Sequence, residues 1–410
     1  MTKIIDVKEA INDKKSDFNI KRFHIGTIHS EYPIKTIDAR YANKTLFVPE
    51  AKNFENVLFE MPKRIDEDAI KKVLKEKDSY VKSFFGYSEW MRDFENIIAP
   101  TFTFNPYTVY KKIEDLSGFF KYYYSFSKTF SFVPNVNAIK TVYGIGKTGK
   151  RKKVEDLKII KIEDYIKFVS EAYHILDEKN NKPIFVPLSL NFSMNDTESL
   201  VKEYISKGYS HIWIDFEGAN TTDITKIPKL KQFYSLLRRS ELFDDTIFYT
   251  TNIKREITTN SKKEENPSSD ILASLEGGNF VGVNQAQANP NPPSLPIVWD
   301  ALQDLWDHNA RVFNPGTYYY TRRNLINIDS QTSENLADKN YRMLFNAKQL
   351  DYEVHNQTNQ FLKDFDFEEY ICNKKMISSY SDGKLRGKIF YKKYESTQST
   401  LDIIDDFKMF

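Results

Sequence analysis

The stretch Pro183–Gly218, PIFVPLSLNFSMNDTESLVKEYISKGYSHIWIDFEG, decides the fold. Ile184 to Leu190 is apolar, too short for a helix and rich in Ile, Phe and Val, which predicts a buried strand. Asn195 or Asp196 can cap a helix that follows, with Glu198 favourably placed in its first turn. Leu200, Val201, Tyr204 and Ile205 form one apolar stripe at helical spacing, and Gly208 suits a left-handed C-terminal cap. His211 to Phe216 is the next strand. A strand-helix-strand unit of this length is parallel and right-handed. Alternation puts Asp215 and Glu217 on one face, at the strand's C-terminal end, where parallel α/β folds place their ligand sites.

The same rhythm extends on both sides. Ile65 to Phe85 and Ile162 to Leu176 have helical periodicity, and Ile97 to Tyr110 is strand-like and aromatic. Pro228 opens a helix at its preferred first-turn position. Thr246 to Thr251 and Asn279 to Val283 read as strands, with a short helix from Asp270 closed by Gly277 and Gly278. Strands recur about every 30 residues, the length of one strand-helix-strand unit. The fold class is therefore α/β, a (β/α) TIM-barrel-like domain with N- and C-terminal additions. The boundaries read from the pattern are 1–94 for an N-terminal mixed addition, 95–330 for the barrel and 331–410 for a C-terminal helical segment and basic hairpin. Lys254 to Ser269 is polar and reads as a mobile insertion.

Composition narrows the function. The 410 residues carry a net charge of only +2, so a nucleic-acid surface has to be a local patch. The single cysteine excludes an intramolecular disulfide and a multi-cysteine metal site. No histidine pair has metal-ligand spacing, and no cofactor motif stands out, so neither metal nor cofactor is expected. No run reaches membrane-spanning length and no secretory signal precedes it, so the expected location is cytoplasmic, with no membrane partner.

Three constellations can carry chemistry. Asp215 and Glu217 can divide general-acid and general-base roles or hold a divalent metal; the plainer reading is a loop cap beside a solvated glutamate. Gly144 to Arg151, GIGKTGKR, has the glycine and lysine spacing of a phosphate loop, but Arg151 stands where a Ser or Thr hydroxyl is needed. A flexible basic turn is the simpler reading. Lys150, Arg151, Lys152 and Lys153, with Arg322 and Arg323 after three tyrosines, can neutralise phosphates and stack on bases, although a lysine run is more often only a solvated face.

From residue 95 to 365 the order of segments resembles the tRNA-guanine transglycosylase family, which are (β/α) barrels that exchange a base in nucleic acid. PIFVPLSLNFSMNDTESLVKEYISKGYSHIWI resembles a strand, helix and strand of the family. DILASLEGGNFVGVNQAQA resembles the segment that carries the family's nucleophilic aspartate, and FNPGTYYYTRRNLINID the segment after it. Tyr341 to Asn356 resembles the region of the family's His-Asn pair. The chain departs from the pattern at the chemistry. The nucleophile position falls on Gly282, the family's acidic Asp-Ser-Gly-Gly-Phe-Gln segment falls on Thr101 to Pro106 without an acid, and the zinc cysteines are absent, leaving His355. The resemblance implies a transglycosylase-like protein acting on tRNA or DNA, with Asp215 and Glu217 as replacement carboxylates. Asn284 or Gln285 would then read base edges. A non-catalytic nucleic-acid-binding relative or subunit is the second class, which a protein partner or homo-oligomer would complete. An unrelated barrel or phosphate-loop enzyme on a small substrate is the third.

Overall fold

Parallel strand pairings run through the chain as a closed ring. The computed structural model describes residues 5–25, 28–42, 58–76, 98–99, 102–104, 116–124, 129–136, 139–145, 151–158, 160–178, 181–258, 263–284, 310–363, 366–380 and 384–390. The chain opens with an antiparallel meander of β1 (Asp6–Asn12), β2 (Asn19–Ile25) and β3 (Ile28–Ser30). The first ring position is a kinked strand, β4 (Ile34–Lys35) continuing into β5 (Ile37–Asp38). The second is β6 (Phe59–Glu60) and β7 (Lys63–Ile65), the third β8 (Ile98–Ala99) and β9 (Phe102–Phe104), the fourth β10 (Ser131–Phe132) and β11 (Asn135–Val136). A long hairpin, β12 (Ile139–Ile145) with β13 (Arg151–Lys158), leaves the ring here. β14 (Ile184–Ser189), β15 (His211–Asp215) and β16 (Ile247–Thr251) are the fifth to seventh positions. After the short β17 (Glu265–Pro267), which lies outside the ring, β18 (Phe280–Val281) is the eighth.

Each position pairs in parallel with the next, β5 with β6, β6 with β8, β7 with β9, β9 with β11, β10 with β14, and on through β15, β16 and β18. Closure comes from β18 pairing with β4, Phe280 opposite Ile34. Eight parallel positions in sequence order make a (β/α)8 barrel, which leaves no open sheet edge.

The helices follow the strands as the periodicity predicts. They are α1 (Glu67–Glu76), α2 (Ser117–Tyr124), α3 (Ile162–Asp177), α4 (Met194–Ser206), α5 (Ile227–Arg239) and the single-turn α6 (Leu272–Leu275). In α3, Tyr165, Phe168, Val169, Ala172 and Leu176 face inward, the stripe that the spacing of the sequence requires. Phe132, Phe185, Tyr249 and Phe280 come from ring positions four, five, seven and eight and touch ring to ring inside the core.

Beyond the barrel, β19 (Arg311–Asn314) and β20 (Tyr319–Arg322) form an antiparallel sheet with β17. The helices α7 (Ser330–Asn335), α8 (Lys339–Leu362), α9 (Phe367–Cys372), α10 (Lys375–Ser379) and α11 (Lys384–Ile389) follow. α8 packs on β4 and on β19, so it joins the helical layer beside the first strand. A second apolar core, with Phe18, Leu272, Phe313, Tyr318, Val354 and Ile371 among its members, fixes these additions to the barrel.

Several expectations change. The ring takes its first two positions from residues 34–65, ahead of the boundary at 95, because those strands are too short to show a period. The helix after β14 is capped by Ser193, whose side chain accepts from the Asp196 amide, and not by Asn195 or Asp196. Arg151, Lys152 and Lys153 start β13, an antiparallel strand. A phosphate loop needs a helix at that point, so the phosphate-loop reading fails. Residues 254–269 are no loose insertion where described: Glu256, Asn266, Ser268 and Ser269 are all buried. Lys384 to Ile389 is a helix, not part of a basic strand or hairpin. Among the described residues no helix is long and apolar enough to cross a membrane, and no group of His, Cys, Asp and Glu could hold a metal ion.

Candidate active site

Asp215 is the last residue of β15 and Glu217 lies just beyond it, at the C-terminal mouth of the barrel. Their environments differ. Asp215 is 1% exposed and three N–H groups converge on it. The Glu217 amide and Asn252 Nδ2 each donate to Oδ1 at 2.8 Å, and Asn135 Nδ2 donates to Oδ2 at 3.0 Å. The Asn135 amide is itself oriented, because its Oδ1 accepts from the Tyr165 hydroxyl and from the Val136 amide, both at 2.8 Å.

Glu217 is half-buried and its backbone is left-handed, with φ of 52°. Asn252, one residue past β16, is left-handed too, with φ of 58°. Non-glycine residues in this region cost about 1–3 kcal/mol and persist where the surroundings hold them. Here the Gly218 amide donates to the Asn252 carbonyl at 2.8 Å, so the two turns brace each other. The left-handed turn breaks strand alternation, and the carboxyl of Glu217 reaches Ser189 Oγ at the end of β14, 2.5 Å away. Burial, and then the negative charge of Asp215, push the Glu217 carboxyl up to about 7, against the pull of Lys226 and of hydrogen bonds from Ser189 and Asn135.

Two lysines that the sequence reading did not single out stand beside it. Lys226 precedes α5, is buried, and donates to Asn191 Oδ1. Lys229, in the first turn of α5, donates to the Leu190 carbonyl at 2.9 Å, and burial with the neighbouring Lys226 brings its amine down to about 8. The site thus offers a carboxyl poised between its two protonation states, a buried anion fixing its geometry, and cations within reach of an anionic substrate group. Strand ends followed by polar residues, as in Asn135, Ser189 and Asn252, are the sequence signal that could have found the rest of the shell.

A further carboxylate was missed. Glu60, fully buried at the end of β6, accepts from the Tyr249 hydroxyl at 2.7 Å, Thr36 Oγ1 at 3.1 Å, the Val283 amide at 2.8 Å and Thr251 Oγ1. It explains Gly282, the position aligned with the family nucleophile. A Cβ at Gly282 would lie 2.7 Å from Glu60 Oε2 and 2.3 Å from the Thr250 carbonyl oxygen. No side chain fits there, and the carboxylate from the second strand position occupies the neighbouring space.

The remaining expected residues are dispersed. Asn284 stands just past β18, bridges to Ile253 and donates from Nδ2 to Asp270 at 2.7 Å. Arg322 ends β20 and Arg323 follows it, with Nη1 of Arg323 donating to the Ser333 carbonyl at 3.2 Å. Lys150, Gln285 and Thr101 lie outside the described residues. His355 faces Asp351 at 3.9 Å and stacks on Tyr32, so it is a structural histidine here.

No protein-family model and no curated protein matches the chain. Among solved structures, a mutant tryptophan synthase alpha-subunit from the hyperthermophile Pyrococcus furiosus aligns at a TM-score of 0.32 and 10% identity, over 84% of this chain and 100% of that one. A probable tagatose 6 phosphate kinase from Sinorhizobium meliloti 1021 aligns at 0.32 and 10%, over 92% of this chain and 99% of that one. Scores this low carry no functional argument, and the barrel stands on its ring of strand pairings.

Proposed function

We propose that the chain is a barrel enzyme in which Glu217 is the general acid–base group, and that it acts as a divergent transglycosylase-like protein on a nucleic-acid base. The observation that carries this reading is the Glu217 carboxyl, half-buried at the barrel mouth and pushed up to about 7 beside a fully anchored Asp215. A group with this value exchanges a proton near neutrality in either direction, which acid–base catalysis needs. Asp215 is a positioning residue in this scheme. Both its oxygens are engaged and it is buried, so it is poorly disposed to attack a sugar carbon.

Base exchange then follows in balanced steps. Protonated Glu217 gives its proton to the leaving base as the carbon–nitrogen bond to the sugar breaks. The charge that develops on the sugar is stabilised by the anionic pair. An incoming base forms the new carbon–nitrogen bond and returns its proton to Glu217. Lys226 and Lys229 supply cations for a phosphate next to the reacting sugar. The resemblance in segment order supports the choice of substrate class, and the barrel fold is compatible with it.

The test is exchange of labelled guanine into tRNA and into DNA by wild type and Glu217→Gln. Incorporation that the substitution lowers by two orders of magnitude or more supports the reading. Incorporation unaffected by Glu217→Gln removes Glu217 from the reaction. No incorporation by the wild type removes base exchange as the activity.

A further inference from the structure

A small cleft opens between the ends of the first and eighth strand positions and α8. Its walls include Tyr41, Met343, Leu344, Ala347 and Leu350, an apolar body with one aromatic face. Its polar lining comes from Lys35, Asp38, Arg255, Asn284, Tyr320 and Asn346. Neither Asp215 nor Glu217 lines this cleft.

The polar lining shows what it can accept. Asn284 donates from Nδ2 to Asp270 Oδ2 at 2.7 Å. Asp270 is itself fixed, buried, with the Tyr320 hydroxyl 2.6 Å from Oδ2 and Ser268 Oγ 2.6 Å from Oδ1. The amide of Asn284 cannot be turned over, because its oxygen would then face the Asp270 carboxylate. Its Oδ1 is therefore held as an acceptor, buried, and without a hydrogen-bond donor. A buried acceptor left unmet is costly, and it marks a place for an N–H. The same lining supplies donors. The Arg255 guanidinium lies over the Tyr320 ring at 4.7 Å and bonds Glu256 through Nε and Nη2, which leaves the Nη1 edge without a bond among the described residues. Lys35, 3% exposed, donates to the carbonyls of Gly282 at 2.6 Å and Val281 at 3.2 Å, which leaves one N–H.

An acceptor and hydrogen-bond donors in the lining of one largely apolar cleft are complementary to an N–H next to a C=O on a planar ring. We propose that this cleft binds a small cyclic lactam or imide, its N–H donated to Asn284 Oδ1 and its carbonyl received by Arg255 or Lys35, with the ring against the apolar wall. The inference does not depend on Glu217 being catalytic.

The test is calorimetric titration of the full chain with uracil, hypoxanthine and 2-pyridone. N-methyl-2-pyridone serves as the control that keeps the ring and carbonyl but lacks the N–H. Binding of at least one lactam, with N-methyl-2-pyridone at least tenfold weaker than 2-pyridone, is the expected result. Ala347→Trp, which fills the apolar part of the cleft and leaves the polar network alone, should lower lactam affinity at least tenfold. Asn284→Ala should abolish the preference for the N–H ring, and Glu217→Gln should leave binding unchanged. Thermal melts confirm that the variants fold. The wild-type comparison between the two pyridones stands by itself if a variant does not. No lactam binding up to millimolar concentration, equal binding of both pyridones, or binding indifferent to a folded Ala347→Trp variant would overturn the assignment. A lactam affinity that falls with Glu217→Gln would place the ligand at the catalytic centre instead.

Discussion

At the scale of single residues, the two carboxylates that alternation placed together do different work. Glu217 stands half-buried at the barrel mouth and Asp215 holds the turn. Glu217→Gln is therefore expected to remove turnover while the melting temperature stays nearly constant, and exchange assays beside thermal melts check it. Asp215→Asn behaves differently. An amide there sets its own N–H groups against those of Asn135 or Asn252, which costs about 1–3 kcal/mol, measurable by urea unfolding. It also removes the negative charge that raises the Glu217 carboxyl, so the basic limb of the activity profile should move to lower pH. Stability has its own pH signature. Glu217 and Glu276 both have folded-state values raised to about 7 from 4.5, chiefly by burial. The folded state thus holds more protons than the unfolded state between these values. Their contribution is fully present below the unfolded value and is lost as pH rises through about 7. Urea midpoints should fall between pH 5 and pH 7.5, and the fall should be shallower in Glu217→Gln.

At the scale of elements, Gly282 gives the sharpest test. β18 and the residues after it run so close to β16 that a methyl group at Gly282 meets the Thr250 carbonyl and Glu60. Backbone on one side and a fully bonded carboxylate on the other leave nothing flexible to yield. Gly282→Ala should destabilise by about 3 kcal/mol or more, read as a lower urea midpoint or as loss of soluble protein. An acid placed there to restore the family pattern should fare worse. The sequence made the helices and the long central strands readable because each carries a period: α3, α4 and α5 show an apolar stripe, and β14 to β16 are continuous apolar runs. It did not make the first two strand positions readable, and it showed the third only as part of the longer strand-like run Ile97 to Tyr110. They are pairs of two- or three-residue segments broken by kinks, and a period of two cannot be seen over so short a length. The candidate site was half legible for a related reason. Asp215 and Glu217 are neighbours in sequence, whereas Asn135, Ser189 and Asn252 come from other strand ends and meet them only once the barrel closes. Left-handed backbone at Glu217 has no signature in residue type, whereas Asn252 is of a type that adopts it readily.

At the scale of the whole molecule, the additions are bound to the barrel by buried charge as well as by apolar packing. Asp17, ahead of β2, is fully buried and pairs with Lys231 and Arg238 of α5, and Lys231 also meets Glu276 at 2.7 Å. Lys21 of β2 donates to the carbonyls of Phe243 and Thr246 ahead of β16, so the meander seals the barrel at the end opposite the candidate site. A partner removed from such a cluster leaves an uncompensated buried charge. Asp17→Ala should cost about 3–5 kcal/mol without changing the chemistry at the far mouth, and urea unfolding with an activity assay on the folded fraction checks both parts. The seal leaves one end of the barrel open to a substrate, and this bears on nucleic-acid binding. The net charge of +2 gives the molecule no general attraction for a polyanion. Affinity has to come from local cations, with Lys226 and Lys229 beside Glu217, Arg322 and Arg323 at the end of β20, and Arg151 to Lys153 in the hairpin. If these contact phosphates, log affinity for tRNA or DNA falls linearly with log salt, and each lost contact flattens the slope by about one unit. Arg322→Ala with Arg323→Ala should flatten it, while Glu217→Gln should leave the slope alone and stop only the chemistry. Fluorescence titrations from low to moderate salt measure both. No binding of tRNA, single-stranded DNA or duplex DNA at low salt would sink the nucleic-acid reading, and the raised carboxyl of Glu217 would then point to acid–base chemistry on a small anionic substrate held by Lys226 and Lys229.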